Sequence, residues 1–150
     1  MSKESESAEL IMKLYDLRRD ATMREARNWY VTFTPTSGQD IMQAMVDPKT
    51  SGYYRMVLSY WDMAASFVNR GAIDEAMFLE SNGEVVMVFA KIEPYVAEVR
   101  TMLASPNYAK NLETLLMKQP NAKEMLAGRR EMIAKLTEAR AVMATGAYSK

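Results

Sequence analysis

The chain has 150 residues, 49% of them hydrophobic and 25% charged, enough for one globular domain with a real core and too few for two ordinary ones. Nineteen basic and nineteen acidic side chains give a formal net charge of zero, so no nucleic-acid partner is expected. There is no His and no Cys, which removes Ser-His-Asp and Cys-His catalysis, the thiolate nucleophile and the usual zinc and iron ligands.

The first residues, "MSKESESAE", are polar enough to predict fraying over 1–8, ahead of a helical domain over 9–146 and a tail at 147–150. A helix is expected from Ser5 to about Thr34. Within it Leu10, Leu14, Leu17 and Ala21 step by four, three and four, which keeps them on one face. The stripe then runs into Arg24, Glu25 and Asn28. Met23, Ala26, Tyr30 and Phe33 form a second stripe nearly opposite the first. Such a helix either packs on two different surfaces or bends between them. On one continuous helix Arg18, Arg19, Arg24 and Arg27 scatter around the axis among Asp16, Asp20 and Glu25, the pattern of a solvated, ion-paired face.

Pro35 and Ser37 punctuate the chain, and a short helix is expected over 38–46. From Tyr53 the pattern is stronger, with Tyr54, Val57, Leu58, Trp61, Ala64, Ala65 and Val68 on one helical face. Gly71 suits a left-handed helix end and Asp74 the N-cap of the next helix, so Asn-Arg-Gly reads as a tight helix-to-helix turn. Over 74–104 the Asn82-Gly83 pair leaves a hairpin conceivable over 81–90. The four-three-four spacing of Val85, Phe89, Ile92, Val96, Val99 and Leu103 favours a helix, with Gly83 tolerated inside it and Pro94 kinking it. Ser105-Pro106 resembles an N-cap followed by a first-turn proline, opening a helix through Gln119. After Pro120 the last helix should run from about Asn121 to Thr145, with Met125, Met132, Leu136, Ala139 and Met143 as its core stripe, interrupted by Arg129. The expectation is an all-α, single-domain bundle of five or six helices, mostly antiparallel neighbours.

The dense aromatics around Tyr54 and Trp61 read first as core and second as a pocket between helices. The fourteen methionines suit irregular packing, and Met42, Met45, Met56 and Met63 suit a domain edge or an interface. Six widely separated glycines form no phosphate-binding loop. Asp74 and Glu75, near Glu80 and Glu84, are the only candidates for carboxylate chemistry, and surface solvation is the better explanation of them.

Read whole, "FVNRGAIDEAMFLESNGEVVMVFAKIEPYVAEVR" resembles a helical bacterial family catalogued as a domain of unknown function. The features that carry the resemblance are the aromatic-rich helix, the G-x-I-D-E turn at Gly71 to Glu75, the apolar helix after it and the Pro94 to Arg100 stretch, within about residues 10–120. The resemblance implies the helical fold and offers no catalytic residues. Similar sequences often carry a membrane helix ahead of the R-R-x-x-x-M-R-x-A-R region, here Arg18 to Arg27, and this chain shows none.

The longest apolar run, "VVMVFA", is far short of the roughly 20 residues of a membrane helix, and the N-terminus lacks the apolar core of a signal peptide. Together with the absence of cysteine this predicts a cytoplasmic protein with no membrane partner. The functional expectation is a non-enzymatic interaction domain without cofactor or metal, self-associating as a homodimer through Leu10, Leu14, Leu17 and Ala21, with another protein partner conceivable. A sensor or carrier with a pocket at Tyr54 and Trp61 is the alternative, and a carboxylate-dependent enzyme the third reading.

Overall fold

Local start and stop signals cut the chain into more helices than the periodicity alone predicts. In the computed structural model, which describes residues 2–146, the order is α1 (Lys3–Leu17), α2 (Ala21–Thr32), α3 (Gly38–Val46), α4 (Ser51–Asn69), α5 (Glu75–Ser81), α6 (Glu84–Ile92), α7 (Val96–Leu103), α8 (Lys110–Met117) and α9 (Ala122–Ala144). A 3-10 turn, Glu93–Tyr95, joins α6 to α7. Among the described residues there is no strand, so the hairpin over 81–90 is set aside: Ser81 ends α5 and 84–90 lie in α6. The tail expected at 147–150 lies outside the described residues.

Each extra break has a local cause. The helix expected over 5–34 stops at Leu17 because Asp20 restarts it: its carboxylate accepts the N–H of Thr22 and of Met23, both at 3.1 Å. Where fraying was expected, α1 already starts at Lys3, capped by the Ser2 hydroxyl. The Ser7 side chain is fully buried and its Oγ accepts the Asp74 N–H at 2.9 Å. Gly83 is not inside a helix but between two, and Pro94 sits in the 3-10 turn. The helix expected from Ser105 begins only at Lys110. Ala104 turns left-handed and Ser105 spends its N–H on the Arg100 carbonyl, closing α7, and a second left-handed residue, Ala109, precedes α8.

The core gathers around α4. Tyr54, Val57, Leu58, Trp61, Ala64, Ala65 and Val68 are all buried, as their spacing predicts, and α2, α3, α5, α6 and α8 pack on that helix. The second stripe of the N-terminal region also holds: Met23, Ala26 and Tyr30 are buried, with Phe33 packed against them. Trp29 stacks on Phe33 with ring centroids 4.9 Å apart, and Tyr30 and Tyr54 close the cluster between α2 and α4. Gly71 is left-handed (φ 82°), and Asp74 caps α5 by accepting the Met77 N–H at 2.9 Å.

Short helices leave many unpaired backbone groups at their ends, and here distant side chains take them. Asp62 of α4 accepts the Leu112 N–H in the first turn of α8 at 3.1 Å, and Glu98 of α7 accepts the Gly38 N–H at the start of α3 at 3.0 Å. Thr50 donates to the Ala44 carbonyl of α3 at 2.8 Å, and Tyr60 donates to the Leu14 carbonyl of α1. Arg27 reaches from α2 to grip the Glu84 carboxylate of α6 with two nitrogens, at 2.9 and 3.0 Å. These cross-links tie a set of short pieces into one domain.

Candidate functional site

The last helix is where packing stops short. In its first part, Ala122 and Leu126 are buried, and two arginines tether it along α6. Arg129 donates to the Gly83 carbonyl at 3.0 Å and Arg130 to the Ala90 carbonyl at 2.9 Å. Beyond Arg130 the helix lies mostly in solvent. Met132 and Leu136 are each 46% exposed and Met143 58%, so the expected core stripe is corrected: only its beginning, at Met125, packs on the core. The spacing that read as a core face is a run of four and three (Met125, Arg129, Met132, Leu136, Ala139, Met143), equally the seam of a coiled coil. Periodicity alone does not say which partner covers a seam.

Beneath α9 lies a groove with a cavity of about 460 Å³ on one side, walled by Phe33, Pro35, Tyr95, Ile133 and Ala141. A smaller cavity of about 240 Å³ opens on the other, between Val31, Met87, Met132 and Leu136. Lys91 and Ile133 line both. The Lys91 side chain is buried, and its three amine protons are spent on the carbonyls of Tyr30, Val31 and Phe33 at 2.7, 2.9 and 2.6 Å. It therefore closes the C-terminus of α2, as a cation at the negative end of a helix should. Burial, with a smaller push from Arg140, lowers its pKa to about 8. No donor of the ammonium is left over for a substrate, so the groove offers apolar surface rather than a reactive group.

The residues singled out from sequence separate. Leu14 is buried in the domain's own core, Leu10 is packed against it, Leu17 is 58% exposed and Ala21 is exposed on the next helix. The buried face of α1 is instead Ser7, Ile11 and Leu14. Tyr54 and Trp61 lie in the core, 1% and 0% exposed, with Tyr54 meeting the Tyr108 hydroxyl and Trp61 edge-on to Tyr60 at 4.9 Å. The groove is lined by other residues. Asp74 caps α5, Glu75 pairs with Lys118 at 2.6 Å, and Glu84 holds Arg27. No group of His, Cys, Asp or Glu suited to a metal ion occurs among the described residues. Of the methionines assigned to an edge, Met56 and Met63 are partly exposed on α4, while Met42 and Met45 pack on the core.

A second surface comes from the break the continuous-helix reading passed over. With the chain turning at 18–20, Arg18, Arg19, Arg24 and Arg27 no longer scatter around one axis. They meet with Tyr15 around one surface pocket of about 400 Å³. Asp20 held the signal. Four positions before Arg24 it reads as an ion-pair partner, but it serves as an N-cap.

No helix among the described residues is long and apolar enough to cross a membrane. The family described as "Domain of unknown function (DUF4760)" matches residues 4–119, so α1 to α8 fall inside the match, except for Lys3 at the start of α1, and α9 lies beyond it. No curated protein and no solved structure matches the chain.

Proposed function

The chain belongs to the DUF4760 family, and from that premise we propose that it is a helical interaction domain whose α9 pairs with α9 of a second copy. The observation that carries this reading is the exposed seam of Met132, Leu136, Ala139 and Met143 on a helix already anchored at its other end. Anchoring supplies what a short isolated helix lacks, because its nucleation cost is met inside the domain. An antiparallel pair sets Met132 against Met143 of the second copy and Leu136 against Ala139. A parallel pair instead brings Lys135 beside Arg140, two like charges flanking the seam. The antiparallel arrangement is the one favoured.

Magnitudes make this a weak dimer. Covering three half-exposed side chains on each copy contributes about 6 kcal/mol, equivalent to about 40 µM before association costs, so the dissociation constant is weaker than about 40 µM. Sedimentation velocity over a wide concentration range should show monomers giving way to dimers. The double variant Met132→Glu, Leu136→Glu should stay monomeric with an unchanged melting temperature, since both side chains lie outside the core. The chain has no cysteine, so introduced ones report orientation. Met132→Cys with Met143→Cys should cross-link readily. Met132→Cys alone should not, because its two copies then stand about 16 Å apart along the pair. A wild-type chain that remains monomeric at the highest concentration reached refutes the reading.

The groove favours a second reading, a carrier of a small apolar molecule, because its larger cavity falls within the size range of ligand sites. Native mass spectrometry separates the two: a reproducible added mass per chain supports the carrier, and a clean dimer mass supports the interaction domain.

A further inference from the structure

We infer that the arginine pocket at the α1–α2 elbow binds a phosphate group, with Arg18 and Arg24 as its ligands. The four arginines there are in unequal states. Arg27 is engaged on every side: two nitrogens on Glu84, the third donating to the Arg18 carbonyl at 3.3 Å, so it contributes fixed charge to the wall. Arg19 reaches Asp16 at only 3.8 Å with both side chains largely exposed, a pair weak enough to be displaced. Arg18 and Arg24 have no carboxylate within ion-pair distance among the described residues.

Arg18 is also pre-positioned. Its guanidinium lies 5.1 Å from the centroid of the Tyr15 ring and 5.7 Å from that of Trp61, so two aromatic rings hold the cation in place without using its N–H donors. The nearby Asp20 carboxylate is occupied by the first N–H groups of α2, so the pocket acts through side chains and not through the helix end. A carboxylate is satisfied by one guanidinium fork. A tetrahedral dianion can take two forks from different directions, and this pocket presents two from adjacent helices. A phosphate monoester or diphosphate is therefore the fitting class, whether on a soluble molecule or on a lipid headgroup.

The test uses the full chain at low ionic strength, titrated calorimetrically with inorganic pyrophosphate. The expected result is saturable binding that raises the melting temperature. Arg24→Gln should weaken it at least tenfold without changing the ligand-free melting temperature, because Arg24 is exposed. Arg70→Gln, an exposed arginine at the end of α4, should leave it unchanged. Co-sedimentation with vesicles containing phosphatidate, abolished by Arg24→Gln, assigns the phosphate to a lipid. Pyrophosphate binding with no vesicle binding assigns it to a soluble molecule. The inference is overturned if neither probe binds, if sodium chloride at equal ionic strength reproduces the effect, or if Arg24→Gln binds like the wild type.

Discussion

Four tyrosines set how the protein responds to alkali. Burial raises Tyr30 and Tyr54 well above the usual phenol value, raises Tyr60 to about 12, and raises Tyr108 as well. All four also face oxygen: Tyr30 donates to the Val88 carbonyl at 2.6 Å, Tyr60 to the Leu14 carbonyl, and Tyr54 and Tyr108 meet each other. Above pH 10 the unfolded chain releases these protons while the folded chain keeps them, so the stability they confer is whole below pH 10 and lost as pH climbs through their folded values. Each tyrosine contributes a slope of up to about 1.4 kcal/mol per pH unit. Lys91 works in the other sense between pH 8 and 10.5, where the unfolded chain binds its proton more tightly. The decline therefore sets in above pH 10. Melting temperatures measured across that range should fall steeply, and tyrosinate absorbance should appear in two steps, the second coinciding with unfolding.

At the level of elements, what can be read from the sequence depends on whether an element's cause lies in its own residues. The face of α4, the left-handed Gly71 and the Asp74 cap are local and were legible. The start of α8 was not, because no side chain of its own caps it and the acceptor is Asp62, fifty residues earlier in the chain. Ser105-Pro106 carries a plausible start signal five residues too early, overridden when Ala104 closes α7. The candidate surfaces divide in the same way. The seam of α9 was visible as spacing, but its exposure depends on how far α6 extends beneath it. The arginine pocket was hidden because one helix wheel was drawn through two helices. Asp62→Ala removes the acceptor for both the Leu112 N–H and the Asn111 side chain. It should cost about 1–2 kcal/mol in urea denaturation, and Asp62→Asn, which keeps one acceptor, should cost less.

The whole molecule divides into a body and an arm. The body is α1 to α8 plus the first turns of α9, where Ala122 and Leu126 are buried and Met125 packs on the core; α9 lies against α6, itself buried along most of its length. The arm is the remainder of α9. A chain ending at residue 130 should keep its melting temperature within a few degrees and lose any tendency to pair. A chain ending at residue 119, the limit of the family match, should lose about 3 kcal/mol or more, because α6 is then uncovered. Circular dichroism melts of the two truncations distinguish body from arm.

The two remote caps also differ in time. Synthesis runs from the N-terminus, so Asp62 is already in place when Leu112 emerges, and α8 can rely on it without a start signal of its own. Glu98 is made long after Gly38, and α3 does carry its own cap, the Ser37 hydroxyl accepting the Asp40 N–H at 3.1 Å. The helix that must wait for its distant partner holds itself meanwhile, while the one whose partner comes first does without. For α3 and α8 the order of manufacture matches which of the two begins with a capping side chain of its own.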